Sequence, residues 1–570
     1  MLYYNLIFIC ALFLCILIVP VFGGNQIYAK LKHHEVLVNW KVLWESQEIK
    51  FDVAIRGKSF KWFGFGFSDH GKWEGSDLCT WKRDEKFLKD SHIRSNLFIH
   101  TDAHQDCRML RTSRKHNRIQ FIRKMVTCDS RDYAIEFGTT QFLIAIAPQV
   151  PITLNSSYVE KRIYYSSILE KTVPQTVLEE QTRVVNITAV NAQVPAVVTS
   201  YWCGLLELPD YLKHKKHHAV RFSALITNGN EDIVHHMEIY NCYQPIPKGV
   251  RYNGNCMQKP QILKSCSKVV AAWAFGAETL DYPKEAGMPI GGQNYVPYLM
   301  VEIHYNNLFK HEHRIDNSGF TITVTSQLRR YDAGITEYGL IYSDANSIPP
   351  RQKDFTMSGV CVPECTRHLP KDGILIFATQ QHAHLTGRKI RTIHYRNGVK
   401  LGYINFDDHY TAHWQVIRRL EDHIHVLPGD VIQTTCSFET EHLNRWTWGG
   451  YGIEDEMCVN YMFYYPAADI EVCKTAISNV TLNEFFKKHL PMENLTGLGI
   501  HEKYEKLDLY PELVEELSEW YDLKPLNVDC LDHSGQRFEG QDWEYVSQPE
   551  MFGGSYEKRR SAMECPAINR

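Results

Sequence analysis

Residues 373–389 read GILIFATQQHAHLTGRK. The run from Ile374 to Thr379 is apolar, too short for a helix of ordinary length, and flanked by Gly373 and Gly387, so it reads as a buried strand between turns. Residues two apart in a strand share a face. His382 and His384 therefore project side by side from a rigid element, as metal ligands or as polar filling. Runs of the same kind recur: KFDVAI (50–55), FGFGFSD (63–69), QFLIAIA (141–147), YLMVEIHY (298–305), DVIQTTC (430–436) and CVNYMFYY (458–465). Gly, Pro, Asn and Asp break them, and helical periodicity is scarce before residue 480. This is the pattern of an all-β protein made of sandwiches. KYEKLDLYPELVEELSEWYDL (503–523) has apolar residues at helical spacing and predicts a short helical element there.

At 570 residues the chain exceeds a single core. Its 44% hydrophobic and 22% charged content are those of a folded domain protein. A net charge of -4 gives no electrostatic signal for nucleic acid or an anionic membrane. The expected organisation is a signal peptide at 1–23, a β-domain at 24–150, a linker at 151–195, β-domains at 196–347 and 348–480 divided at SIPPRQ (347–352), and a partly helical C-terminal segment at 481–570.

LIFICALFLCILIV (6–19) followed by Pro20 has the form of a secretory signal, although residues 1–5 lack Lys and Arg, so an uncleaved membrane anchor stands beside it. No later segment is apolar for long enough to span a bilayer. Of 16 cysteines, Cys10 and Cys15 lie in this segment, leaving 14, an even number that suits a disulfide framework. Sequons at Asn155, Asn186, Asn479 and Asn494 suit glycosylation. The expected location is the secretory pathway, in a vesicle lumen or outside the cell.

Among the 27 histidines, His217-His218 and His235-His236 are adjacent pairs, and His311/His313, His382/His384 and His423/His425 are H-x-H. Any one alone is more often a solvated or hydrogen-bonded residue than a ligand. His311/His313 sits in a polar loop, and His423/His425 precedes a turn with no rigid apolar flank. His382/His384, His235-His236 and His304 adjoin apolar strands, as does Met457.

SYWC (200–203), HHMEIYNC (235–242), VEIHYNN (301–307), LRRYDAGITEYGLIY (328–342), QQHAHLTGRK (380–389) and DEMCVNY (455–461) occur in this order. Together they resemble the copper type II, ascorbate-dependent monooxygenases, in particular the branch that hydroxylates phenylethylamines. The likeness is close over about residues 196–475; it is weaker in the N-terminal domain, which resembles a DOMON β-sandwich, and RFEGQDWEY (537–545) echoes it. The resemblance implies two jelly-roll-like copper domains and two copper ions per subunit. His235, His236 and His304 would hold the electron-transfer copper. His382, His384 and Met457 would hold the copper at which oxygen is activated. Imidazole suits copper in both oxidation states and a thioether favours Cu(I). Ascorbate would supply electrons, O2 the oxygen atom, and a small-molecule amine would be hydroxylated at its benzylic carbon: tyramine to octopamine, or dopamine to noradrenaline.

In peptide-amidating relatives an Arg stands two residues before the first His of the H-x-H and grips a carboxylate. Gln380 occupies that place here, so the bidentate anchor is missing. Positions matching Glu238, Glu337 and Tyr461 have been suggested near the amine in the amine-hydroxylating branch. The resemblance further implies disulfides Cys203–Cys256, Cys242–Cys266, Cys361–Cys473, Cys365–Cys530, Cys436–Cys458 and Cys128–Cys565. Subtraction leaves Cys79 and Cys107 to pair with each other. Vertebrate relatives join subunits through two cysteines that LTGLGIHEKYEKL (495–507) lacks, so a homodimer would be non-covalent. Asp77 and Asp106 match positions proposed to hold a cation such as calcium, with turn-capping aspartates as the plainer reading. Two alternatives stand: the same chemistry on an unknown substrate, toward which TWGG (447–450) leans while DDHYTAHWQ (407–415) leans toward amines, and a secreted copper-binding protein without turnover, which a complete set of six ligands argues against.

Overall fold

The computed structural model describes residues 26–552 apart from 171–172, 275–276, 278, 308–309, 492–494 and 496. The expected signal segment, Asn494 and Cys565 lie outside the described residues. The architecture is mostly β, with few helices.

In the N-terminal sandwich a five-stranded sheet packs on a six-stranded one. His34–Leu43 and Glu48–Gly57 alternate buried and partly exposed residues, so one face is solvated. Trp62–Ser68 and Thr140–Ala147 are buried on both faces. Phe51, Phe65, Phe67, Phe121 and Phe142 fill the core, with Phe51 and Phe121 stacked at 5.1 Å.

The second sandwich sets Thr199–Glu207, Val234–Cys242, Cys266–Ala274 and Tyr298–Asn306 against a sheet containing Thr182–Thr188, His217–Leu225 and Gly319–Thr325. The third sets a six-stranded sheet centred on Cys458–Tyr465 and Gly334–Leu340 against Phe355–Cys361, Val431–Phe438, Gly387–Arg396 and Val399–Asp407. Its two sheets come together at glycines: a Cβ on Gly359 would lie 2.0 Å from the Gly339 carbonyl carbon.

Two expected boundaries shift. Residues 151–195 are not a plain linker, since Glu160–Ser166 joins the first sandwich and Thr182–Thr188 the second. Their outer faces are polar, which conceals the strand signal. The break at SIPPRQ is a loop within the third sandwich, because Gly334–Leu340 pairs with Cys458–Tyr465 and Ile470–Ile477. Pro350 and its neighbours mark a turn, and a turn signal does not tell a loop from a domain edge.

The C-terminal segment holds helices Asn479–His489, Ile500–Glu505 and Pro511–Leu523. Pro511 splits the expected single element, being tolerated only in a first helical turn. Leu513, Leu517 and Tyr521 recur every four residues on the buried face. Strand Leu526–Asp532 then returns to the third sandwich, tied by Cys365–Cys530. The other described disulfides are Cys79–Cys107, Cys203–Cys256, Cys242–Cys266, Cys361–Cys473 and Cys436–Cys458.

Candidate metal centre

Two adjacent strands build the first histidine set. Val234–Cys242 runs antiparallel to Tyr298–Asn306 with His236 opposite His304 and Glu238 opposite Glu302. Tyr201, on the far side of Tyr298–Asn306, is opposite His304, and its ring stacks on the His304 ring at 4.4 Å and 6°. The Nδ1 atom of His236 lies 3.3 Å from Nδ1 of His235 and 3.2 Å from Nδ1 of His304. Three ring nitrogens thus converge within 4.8 Å. Burial, then the neighbouring imidazoles, pushes His235 down to about 4 and His304 to about 3, and holds His236 well below the ordinary histidine range. All three rings are neutral at pH 7, and Nε2 of His304 is buried without a hydrogen-bond partner among the described residues.

The second set lies at the end of Ile374–Ala383. Ala383 is opposite Cys458 in the antiparallel strand Cys458–Tyr465, which puts His384 and Met457 just past the paired ends. Nδ1 of His382 faces Oε1 of Gln415 at 2.6 Å, and the Gln415 amide is oriented because its Nε2 donates to the Ala412 carbonyl. Nδ1 of His384 meets the Asp455 carbonyl at 3.0 Å. A carbonyl only accepts, so both rings carry their proton on Nδ1 and leave Nε2 free. Burial, then the neighbouring His384, pushes His382 down to about 3. Glu456 binds the two chain segments together, accepting from the backbone N–H groups of His384, Thr386 and Met457.

The donor chemistry fits copper. Imidazoles, two of them with an oriented Nδ1 proton, and a thioether just past the paired strand ends are donors of the kind that take Cu(I) and Cu(II). Two other groupings, Cys361, Cys365 and Cys473, and Cys203, Cys256 and Glu302, offer no thiolate because their cysteines are in disulfides. The two histidine sets face each other, with the His236 and His382 rings 6.3 Å apart.

Glu238, Glu337 and Tyr461 come together beside these rings. Tyr461 is opposite both Gln380 and Glu337 in its sheet, and its ring lies 6.4 Å from that of His382. The glutamates differ. Glu337 pairs with Lys474 at 2.6 Å. Glu238 takes its hydrogen bond from the Tyr240 hydroxyl; burial, then repulsion from Glu302, raises it to about 8. Gln380 is buried and donates to the Gln415 carbonyl at 3.0 Å.

The remaining histidine motifs have other partners. His218 bonds Asp332 at 2.8 Å, and His313 is exposed. His423 and His425 lie within strand Arg418–Val426, just before the expected turn, and bond the Tyr465 hydroxyl and the Asp372 carbonyl. In the N-terminal sandwich the carboxylates that converge are Asp77, Asp90 and Asp132. Asp106 stands outside this trio: its backbone N–H donates to Asp90, and its carboxylate is close enough to repel that of Asp132. The buried Arg123 guanidinium bonds Asp77 and lies 3.8 Å from Asp132, so an internal cation already sits there. Sequence reasoning missed the roles of Gln415, Glu456 and Tyr201, although DDHYTAHWQ, DEMCVNY and SYWC contain them, and missed Lys474, which lies in no motif.

Such a pair of copper-type ligand sets, carried on two β-sandwiches behind a third, defines an oxidative metalloenzyme. The chain belongs to the copper type II ascorbate-dependent monooxygenases. Models of that family's N- and C-terminal domains match residues 185–312 and 331–486, and the DOMON domain matches 32–147. A Caenorhabditis briggsae tyramine beta-hydroxylase is 42% identical, covering 96% of both chains. The horse dopamine beta-hydroxylase is 36% identical over 93% of this chain and 88% of its own. The human DBH-like monooxygenase protein 1 is 29% identical over 84% and 77%. Copper and ascorbate are the family's cofactor and reductant.

Proposed function

We propose that the chain hydroxylates the benzylic carbon of a phenylethylamine, with tyramine the leading substrate and octopamine the product. The observation that carries this reading is Glu238: a partly buried carboxylate two residues from His236 on the same strand, bonded to a tyrosine rather than to a cation. A carboxylate in that position selects for an ammonium group. Gln380, neutral and tied to the Gln415 backbone, offers no charged, bidentate anchor to a substrate carboxylate, which disfavours a peptide. The higher identity to the tyramine enzyme than to the DBH-like protein points the same way.

His235, His236 and His304 would hold one copper through Nδ1, and His382 and His384, through Nε2, with Met457, the other. Copper held there and reduced by ascorbate would supply the electrons with which one oxygen atom of dioxygen goes to the substrate and the other leaves as water. The protein's own part is to bind and orient. Glu238 receives the ammonium group and loses its proton on doing so. Lys474 holds Glu337, and Tyr461, between Glu337 and Gln380, lines the space beside His382. Gln415 and Asp455 fix the two imidazoles. The disulfide framework and the apolar N-terminal run support an oxidising, secretory compartment as its location.

Oxygen uptake with product analysis tests the reading, using tyramine, dopamine and a glycine-extended peptide with ascorbate. Octopamine formed in step with oxygen consumed is the expected outcome. An amidated peptide as the main product overturns it.

A further inference from the structure

Asp407–Gln415, DDHYTAHWQ, runs from the N-terminal sandwich to the second histidine set. Its first residues are held by the N-terminal sandwich. The Asp407 carboxylate is buried and accepts from the Thr139 backbone N–H at 3.0 Å and the Thr139 hydroxyl at 2.5 Å. Arg418 completes its shell at 2.7 Å. His409 sits between Asp69, 3.1 Å from Nδ1, and Glu136, 3.4 Å from Nε2, with the Tyr133 ring 5.2 Å away. Gly138, at φ +105°, lets the chain close on Asp407, since a Cβ there would meet its Oδ1 at 2.6 Å.

The other end is held by the ligand strand. The Tyr410 hydroxyl accepts from the Ala383 N–H at 2.7 Å and donates to the Ala383 carbonyl at 2.6 Å, pinning the residue between His382 and His384. Gln415 meets Nδ1 of His382 and accepts from Gln380 with its own carbonyl. The Ala412 backbone faces the His235 ring. Tyr410, Thr411, Ala412 and Gln415 are buried.

We propose that the N-terminal sandwich is a positioning part of the monooxygenase: by gripping Asp407 and His409 it sets the segment through which Gln415 fixes the His382 ring for copper. Removal of a group that orients a metal-bound imidazole weakens metal binding about 10–100-fold. A grip on the same segment from another domain carries a fraction of that effect. The inference rests on His382 being a ligand.

Three variants of the full chain test it, each loaded with copper. Gln415→Leu removes the acceptor at similar volume. Thr139→Val removes one hydroxyl in the N-terminal sandwich, on a residue that touches neither histidine set. His382→Ala tests the ligand assignment itself. The readouts are the Cu(II) electron paramagnetic resonance spectrum and the copper retained against a chelator. Gln415→Leu is expected to weaken retention of one of the two coppers about 10–100-fold and to change its spectrum. Thr139→Val is expected to shift the same signal in the same direction by less. Because both act through Gln415, the double variant should match Gln415→Leu. Phe121→Leu, a core change in the same sandwich, lowers thermal stability and should leave the spectrum as it is. The proposal is overturned if Thr139→Val lowers stability alone, or if its effect adds in full to that of Gln415→Leu. If His382→Ala keeps both coppers, the ligand assignment falls instead.

Discussion

Replacing Glu238 with glutamine removes the charge proposed to receive the amine and keeps the shape of the side chain. Glu238 is raised to about 8, so at pH 7 it is mostly protonated in the amine-free protein. Ionising it there costs about 1.4 kcal/mol, one pKa unit. A buried, hydrogen-bonded charge pair contributes about 2–5 kcal/mol to recognition. The difference, about 0.6–3.6 kcal/mol, is a loss of about 3- to 400-fold in kcat/KM for tyramine in Glu238→Gln. The assay compares tyramine with 4-ethylphenol, which keeps the ring and the benzylic carbon and lacks the amine. The variant should lose activity on tyramine alone, largely through KM. Calorimetry in buffers of different ionisation enthalpy adds an independent reading. The native protein should release close to one proton per tyramine bound at pH 7, and the variant none. An equal fall on both substrates, or unchanged proton release, refutes the assignment.

Three further outcomes follow from the geometry. Glu337→Gln leaves the buried Lys474 without its partner, so it should lower the unfolding free energy by about 3 kcal/mol or more while changing the tyramine to 4-ethylphenol ratio less than Glu238→Gln does. Gly359→Ala drives a Cβ into the Gly339 backbone and should cost about 3 kcal/mol in urea unfolding, with a normal slope if the fold survives. His409 is raised to about 10, its burial outweighed by Asp69 and Glu136. A raised folded value means its stabilisation is fully present below about pH 6.5 and is lost as pH rises toward 10. Unfolding free energies from urea titrations should show native and His409→Gln proteins differing on the order of a few kcal/mol at about pH 6 and converging near pH 10.

How much of this was legible in the sequence depended on range. Ile374–Ala383 was readable because its apolar run and closing glycine are local, and the face shared by His382 and His384 follows from the period of a strand. Thr182–Thr188 was hidden because its outer face is polar and only its pairing with Gly319–Thr325 makes it a strand. SIPPRQ misled for a related reason: proline reports local backbone, whereas Gly334–Leu340 owes its place to partners more than a hundred residues away. The ligand candidates came from ordered motifs. Their orientation came from residues whose contacts no motif announces: Gln415 is 33 positions from His382, and Glu456 is 72 from His384. Lys474 was equally silent, since nothing near it in sequence announces Glu337, 137 positions away. Aspartates 77 and 106 show the converse, where a matching motif named the neighbourhood and the fold brought in Asp90 and Asp132.

The central claim is that two histidine sets hold two coppers and that Met457 supplies sulfur to one of them. Copper K-edge X-ray absorption of the ascorbate-reduced protein, with metal quantitation, in native chain and Met457→Ala tests it most directly. The account predicts two coppers per native chain with a sulfur neighbour, and a variant that loses the sulfur signal while keeping the nitrogen-bound copper. A native spectrum without sulfur, or a variant spectrum identical to the native one, contradicts it.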